Sequence, residues 1–385
     1  MMTHRDAGTS GNPGQAAIAR WPVTVMLATL AACTSAPPRK PSGAPTTPPP
    51  SGSVAHEASR WVPVAWQELP GWNADTPRAA WPALVQSCQR PAPAWTLLCV
   101  KTQQSPPRND AEMRDWLMRN FQPYRVESLE GAAGGLITGY YEPAIDARRE
   151  PGGAFRVALY APPADLATRR PYWTRQQLDS LPAAQASLRG REIAYVADPL
   201  DVLVLQIQGS GRMDVTEPDG RVRTVRLAYA GHNDQPYRSV GRWLIDQGQL
   251  QAGQASWPAI KEWARRNPER LNELLWANPR YVFFREEPLA DPTVGPRGAQ
   301  GVPLTPGRSI AVDPKSVPYG TPVWIDTTEP LSSAPLRRLV LAQDTGSAIV
   351  GAVRADYFWG WDGDTAEQAG RMRQPLRMWV LWPRP

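Results

Sequence analysis

Residues 339–360 read LVLAQDTGSAIVGAVRADYFWG and carry two carboxylates, Asp344 and Asp356, each beside residues able to set its chemistry. Asp344 opens an Asp-Thr-Gly-Ser run like the catalytic loop of an aspartic protease. Such a protease needs two of these loops facing each other, so that paired carboxylates share one proton. A single one occurs here, which leaves peptide hydrolysis a poor reading. Asp356 is followed by Tyr357, Phe358 and Trp359, with Trp361 just beyond. Apolar surroundings disfavour the carboxylate ion and keep an acid protonated, while aromatic faces such as Trp359 are surfaces on which sugar rings pack. The plainer alternative is that Asp356 caps a turn at a strand end. Asp313 precedes a proline, where turn formation accounts for it equally well.

Two further stretches offer polar groups. GLITGYYEP holds Tyr140, Tyr141 and Glu142. Alternate strand residues face opposite ways, so one tyrosine is expected in a groove and one in the core. Glu142, flanked by aromatic residues, is the rival for an acid. QIQGSGRMD holds Gln208, Gly209, Ser210 and Gly211, bare backbone that a ligand can approach. Position 214 is Asp and no helical pattern opens there, which makes a dinucleotide loop a weak match. Of the three histidines, His4 and His56 fall before the expected folded part, leaving His232 for a structural or substrate-contacting role. No H-E-x-x-H or G-x-S-x-G motif is present. No metal and no cofactor are expected.

These residues sit in a chain of 385 residues, 42% hydrophobic and 20% charged, long enough for two domains with real cores. The net charge of +6 is spread out rather than gathered in a stripe, which argues against nucleic-acid binding. Near the start, RWPVTVMLATLAAC gives Arg20, a short apolar run and a lipobox ending at Cys33. Lipidation of Cys33 is the expectation, with plain signal cleavage as the alternative. Residues 34–60 are rich in Pro, Ser and Thr and read as a solvated tether, with folding expected from near Trp61. Cys88 and Cys99 lie in one short segment of an exported chain and are expected to form a disulfide, the alternative being two buried thiols.

The folded part changes texture twice. NDAEMRDWLMRNF reads as a capped helix and GLITGYYEP as a strand closed by proline. A helix-bearing middle follows, with TRQQLDSL, PYRSVGRWLIDQGQL, WPAIKEWARRN and PERLNELLWAN. From Tyr281 onward RYVFF, RSIAVD, TPVWID, RRLVLAQD, VRADYFWG and LRMWVLW are short β-type runs, the pattern of a small barrel or sandwich.

The ordered set GLITGYYEP, LQIQGSGR, YRSVGRWLIDQG, NPRYVFF and VPLTPGRSIAVDPKSVPYGTPVWI, with the three aspartates after it, resembles the membrane-bound lytic murein transglycosylase A family over roughly residues 61–385. The resemblance implies a mainly β fold with an α+β insertion. In it a double-psi β-barrel (61–143 and 279–385) carries an inserted domain (144–278), with a glycan groove between them. It implies cleavage of the β-1,4 bond between N-acetylmuramic acid and N-acetylglucosamine in peptidoglycan, giving 1,6-anhydro ends. By its RADYFWG motif it places the single acid/base on Asp356, with Asp344 as supporting carboxylate. It further implies a lipoprotein on the periplasmic face of the outer membrane, bound to glycan strands, with cell-wall synthesis or division proteins as partners. A non-catalytic glycan-binding envelope lipoprotein is the alternative.

Overall fold

The computed structural model describes residues 51–104 and 106–384; Cys33 and most of the tether lie outside the described residues. The strands in chain order are β1 (Val54–Ala55), β2 (Arg60–Pro63), β3 (Phe121–Glu127), β4 (Gly135–Tyr140), β5 (Ala144–Arg148), β6 (Val157–Tyr160), β7 (Glu192–Val196), β8 (Gly211–Thr216), β9 (Val222–His232), β10 (Val282–Pro288), β11 (Ser309–Val312), β12 (Pro322–Thr328), β13 (Pro335–Asp344), β14 (Arg354–Phe358) and β15 (Arg373–Pro383).

Strands β4, β14, β11, β13, β12 and β15 are hydrogen-bonded in that order, and β15 returns to β4, so six strands close into a barrel. The pairs β11–β13 and β4–β14 are parallel and the other four antiparallel. Alternation along each strand sends Ile137, Val312, Ile325, Val340, Tyr357 and Val380 into one buried core. Each such side chain taken from water contributes about 1.5–3 kcal/mol. The other face of β12, β13 and β15 offers Trp324, Leu339, Leu341 and Trp379 to a cap of helices at Trp81–Ser87, Thr96–Gln104 and Asp110–Asn120. Asn109 caps the last of these by accepting from the Glu112 N–H, as its sequence suggests. A disulfide joins Cys88, just past the first helix, to Cys99 in the second. The folded part begins earlier than Trp61. β1 pairs with β2, His56 stacks on Trp61 at 3.8 Å, and buried Ser59 donates to the Ser316 carbonyl.

The second unit holds a six-stranded sheet, β10-β9-β8-β5-β7-β6, around Leu205, Met213, Val215, Leu227 and Phe284. Its helices at Arg175–Ser180, Val240–Asp246 and Trp257–Arg266 start at Thr174, Ser239 and Ser256, whose hydroxyls cap them. Helix Pro199–Gln208 was not expected. Its apolar run PLDVLVLQIQ has the composition of a buried strand or a buried helix alike, and Asp198 as N-cap with Pro199 next decides for the helix. RYVFF also departs from the reading that gave it to the barrel: β10 pairs along its length with β9, so the chain returns to the barrel only after Pro288.

Candidate active site

One row of side chains crosses four barrel strands. Ala311 on β11 is the register partner of Asp344 on β13 and of Asp356 on β14, and Asp356 is in turn the partner of Thr138 on β4. Ala355 and Tyr357 on either side of Asp356 point into the barrel core, which leaves Asp356 on the outer face. Asp344 reaches the same row through a bulge: the register slips between Ile310 and Ala311, skipping Gln343. Gln343 is buried instead against the helical cap, donating to the Ala83 carbonyl and the Ser87 hydroxyl.

The two carboxyls do not form a shared-proton dyad. They stand two strands apart, about 10 Å at the backbone, and each has its own partners. Thr138 Oγ1–H donates to Asp356 Oδ1 at 2.6 Å, and Thr138 Oγ1 accepts from an Arg354 guanidinium N–H at 2.9 Å. Asp344 accepts from the Ala299 N–H at 2.9 Å and from the Tyr140 hydroxyl at 3.0 Å. Burial pushes Asp356 up to about 6; Thr138 and Arg354 oppose the rise, and the Asp344 charge adds the smallest push. Burial, the cause expected from the apolar neighbours of Asp356, therefore outweighs the Asp344 charge. Burial also raises Asp344, against hydrogen bonds from Ala299, Thr345 and Tyr140. Burial and both aspartates hold the Tyr140 hydroxyl well above its ordinary range. From the second unit, Tyr237 feels the Asp356 charge, which brings that loop to the site.

The other expected site residues divide. Tyr140 packs with Leu304, Ala311, Ile349 and Phe358 beside the carboxylates, whereas half-buried Tyr141 faces Lys261 and Asp201 of the second unit. Gln208 Oε1 accepts from the Tyr141 N–H at 3.1 Å and so fixes this crossing segment. Gly209 ends its helix with φ 83°, a left-handed conformation suited to glycine, in open space, and Ser210 beside it is part-exposed.

Three expectations are corrected. Glu142 is wholly buried, accepting from Arg212 Nε at 2.9 Å and Arg226 Nε at 2.7 Å, so both its oxygens are taken up inside the protein and no groove ligand reaches it. Gly211 is a packing glycine, since a Cβ there would lie 2.2 Å from Leu205 Cδ1 and 2.9 Å from the Pro143 carbonyl. Trp359 turns with Tyr357 toward the barrel and lies against Gly139. Trp361 is the tryptophan on the Asp356 side, packed on the Tyr140 cluster with Arg212 4.0 Å over its ring. Asp313 accepts from the Lys315 and Gly351 N–H groups and ties two loops. His232 accepts from the Asp234 N–H. Thr138 and Arg354 were not expected; their signal was the alternation along β4 and β14, which sets them beside Asp356 once those strands pair. Among the described residues no group of three or more His, Cys, Asp or Glu side chains could hold a metal ion.

Comparison with known proteins agrees with this architecture. The MltA specific insert domain matches residues 136–285 and the 3D domain matches residues 308–382. The membrane-bound lytic murein transglycosylase A of Vibrio cholerae is 30% identical over 290 residues, 70% of this chain and 74% of that protein. The solved lytic transglycosylase LtgG of Burkholderia pseudomallei is 47% identical with a TM-score of 0.59, covering 86% of this chain and 97% of that one. The structure of Escherichia coli MltA with bound chitohexaose is 24% identical with a TM-score of 0.66, covering 87% and 96%, and speaks for the fold. With both domains matched in this order and a 30% identical relative covered over most of its length, the chain belongs to the membrane-bound lytic murein transglycosylase A family.

Proposed function

We propose that this protein is a peptidoglycan lytic transglycosylase, cutting the β-1,4 bond between N-acetylmuramic acid and N-acetylglucosamine with Asp356 as its acid and base. The observation that carries the reading is the Asp356 carboxyl itself, part-buried on the outer face of the barrel, raised to about 6 and held through Oδ1 alone among the described residues. A glycosidase that hydrolyses uses two carboxylates, the second to attack or to activate water. When the muramic acid C6 hydroxyl is the nucleophile, the attacking group is already held beside the anomeric carbon and one carboxyl suffices. Protonated Asp356 gives its proton to the glycosidic oxygen as the C1–O bond breaks. The resulting carboxylate takes the C6 hydroxyl proton as the new C1–O6 bond closes the 1,6-anhydro ring.

The E. coli relative's structure with chitohexaose supports a glycan strand as ligand. The groove we assign to it runs along the Asp344–Asp356 row, between the barrel and the second unit, with Tyr141, Gln208, Gly209, Ser210, Trp361 and Tyr237 at its sides. Envelope attachment fits the relatives' printed name, and we assign it to lipidated Cys33 on the periplasmic face of the outer membrane; among the described residues no helix is long and apolar enough to cross a membrane. The test is mass spectrometry of murein digested by the purified protein. Anhydro ends that vanish with Asp356→Asn are expected. Reducing ends overturn the reaction class, and an inactive wild type that still pulls down sacculi marks a glycan binder.

A further inference from the structure

We infer that Arg354 and Thr138 form a one-way hydrogen-bond chain that confines the transferable proton of Asp356 to Oδ2. A guanidinium has donors only, so at the 2.9 Å contact Arg354 donates and Thr138 Oγ1 accepts. The hydroxyl has one hydrogen, and the oxygen 2.6 Å away is Asp356 Oδ1. Thr138 Oγ1 keeps a second lone pair, but among the described residues its hydrogen has no acceptor other than Oδ1, so it donates to Oδ1 in both protonation states of Asp356. A proton on Oδ1 would face another O–H, so the acid proton resides on Oδ2, which has no protein hydrogen bond among the described residues. The same oxygen then gives the proton to the leaving glycosidic oxygen and takes one from the C6 hydroxyl, with no rotation of the side chain between the steps. This inference rests on the transglycosylase reading and adds two positioning residues to it.

The backbone makes the chain exact in register. Thr138 faces Asp356 across the parallel β4–β14 pair, and Arg354 faces Leu136 two residues back, so all three share one face. Arg354 also donates to the Ala355 carbonyl, which anchors its head. The charged and titratable groups around Asp356 are Arg354 on its own strand, Asp344 on β13, Tyr140 on β4 and Tyr237 from the loop after β9, with Arg373 on β15 repelling Arg354.

The experiment is a pH–rate profile on purified murein sacculi for wild type, Thr138→Val, Thr138→Ser, Arg354→Met and Asp356→Asn, each checked for fold by circular dichroism. Thr138→Val keeps the shape and removes the hydroxyl. We expect kcat to fall roughly 10–100-fold, the scale of a misplaced catalytic group, with KM nearly unchanged. The high-pH fall in rate should move upward, because Thr138 and Arg354 both hold Asp356 down. Thr138→Ser restores both values, and Arg354→Met moves the profile in the same upward direction. With Asp356→Asn inert, a Thr138→Val enzyme of wild-type kcat and profile overturns the chain. An active Asp356→Asn overturns the underlying reading instead. If Thr138→Val does not fold, an Arg354→Met profile identical to wild type overturns the proposal on its own.

Discussion

Asp356→Asn separates the electrostatics of the site from its chemistry, because the penalty for burying a carboxylate is measurable in the stability of the protein without any substrate. The carboxyl rises from an ordinary 3.8 to about 6 on folding, equivalent to about 3 kcal/mol at 1.36 kcal/mol per pH unit. A group whose pKa is raised by folding stabilises fully below its unfolded value and loses that contribution as the pH climbs through the folded one. Wild type should thus lose about 3 kcal/mol between pH about 4 and about 6, relative to a chain without the group. Asparagine does not ionise and keeps an oxygen for the Thr138 hydroxyl. The variant should be the more stable protein at neutral pH, by as much as about 3 kcal/mol, and the gap should close at pH 4. Asp344 is present in both and cancels. Urea unfolding followed by tryptophan fluorescence from about pH 3.5 to 8 reads the difference as a midpoint shift of about 1 M at neutral pH. A gap that does not change with pH, or a variant less stable than wild type at pH 7, would show that Asp356 bears no burial penalty. The proton would then not be held there by the fold.

Asp344→Asn should keep the reaction at a several-fold lower rate and move the high-pH fall slightly downward, since the Asp344 charge helps to raise Asp356; the pH–rate profile checks it. Glu142→Gln should unfold at lower denaturant while leaving the product chemistry intact, because the buried Arg226 and part-buried Arg212 guanidiniums lose their anion. Removing one partner of such a set costs about 3 kcal/mol or more, and calorimetry beside product analysis separates the two effects. Joint replacement of Cys88 and Cys99 by serine should cost about 3 kcal/mol for a closed loop this short, read as a lower denaturation midpoint. Cys33→Ala should move the protein from the membrane fraction to the soluble one, and normal processing with unchanged fractionation would count against the anchor.

What the sequence displayed, and what it hid, follows from the distance over which each feature is decided. β11 through β15 were readable because short apolar runs between turn residues are local patterns, and the Asn109 cap was readable for the same reason. The α+β character of the second unit came only with the family resemblance, and its strands AIDAR and GRMDVT were not placed one by one because they interleave charges with small or single apolar residues and carry little β signal by themselves. Glu142 looked like a site residue since nothing within the GLITGYYEP stretch foretells Arg212 and Arg226, which come from strands far along the chain. Trp359 and Trp361 share strand parity, and what sends them to different clusters is the end of β14 at Phe358 and the left-handed Gly360 between them, neither of which the run of aromatic residues announces. The bulge at Ala311 that brings Asp344 into line with Asp356 exists only once β11 and β13 are paired.

β15 has a consequence for when the protein becomes active. This late strand pairs with β3, β4 and β12 at once and supplies the seam that shuts the barrel. Until residues 373–383 have been synthesised and delivered, β4 lacks one neighbour, and the wall bearing Thr138 and Tyr140 is a free edge. A chain still lacking this strand would thus have no working blade. A chain cut just before Arg373 should accordingly lose the site together with the seam, however well the remaining strands pair.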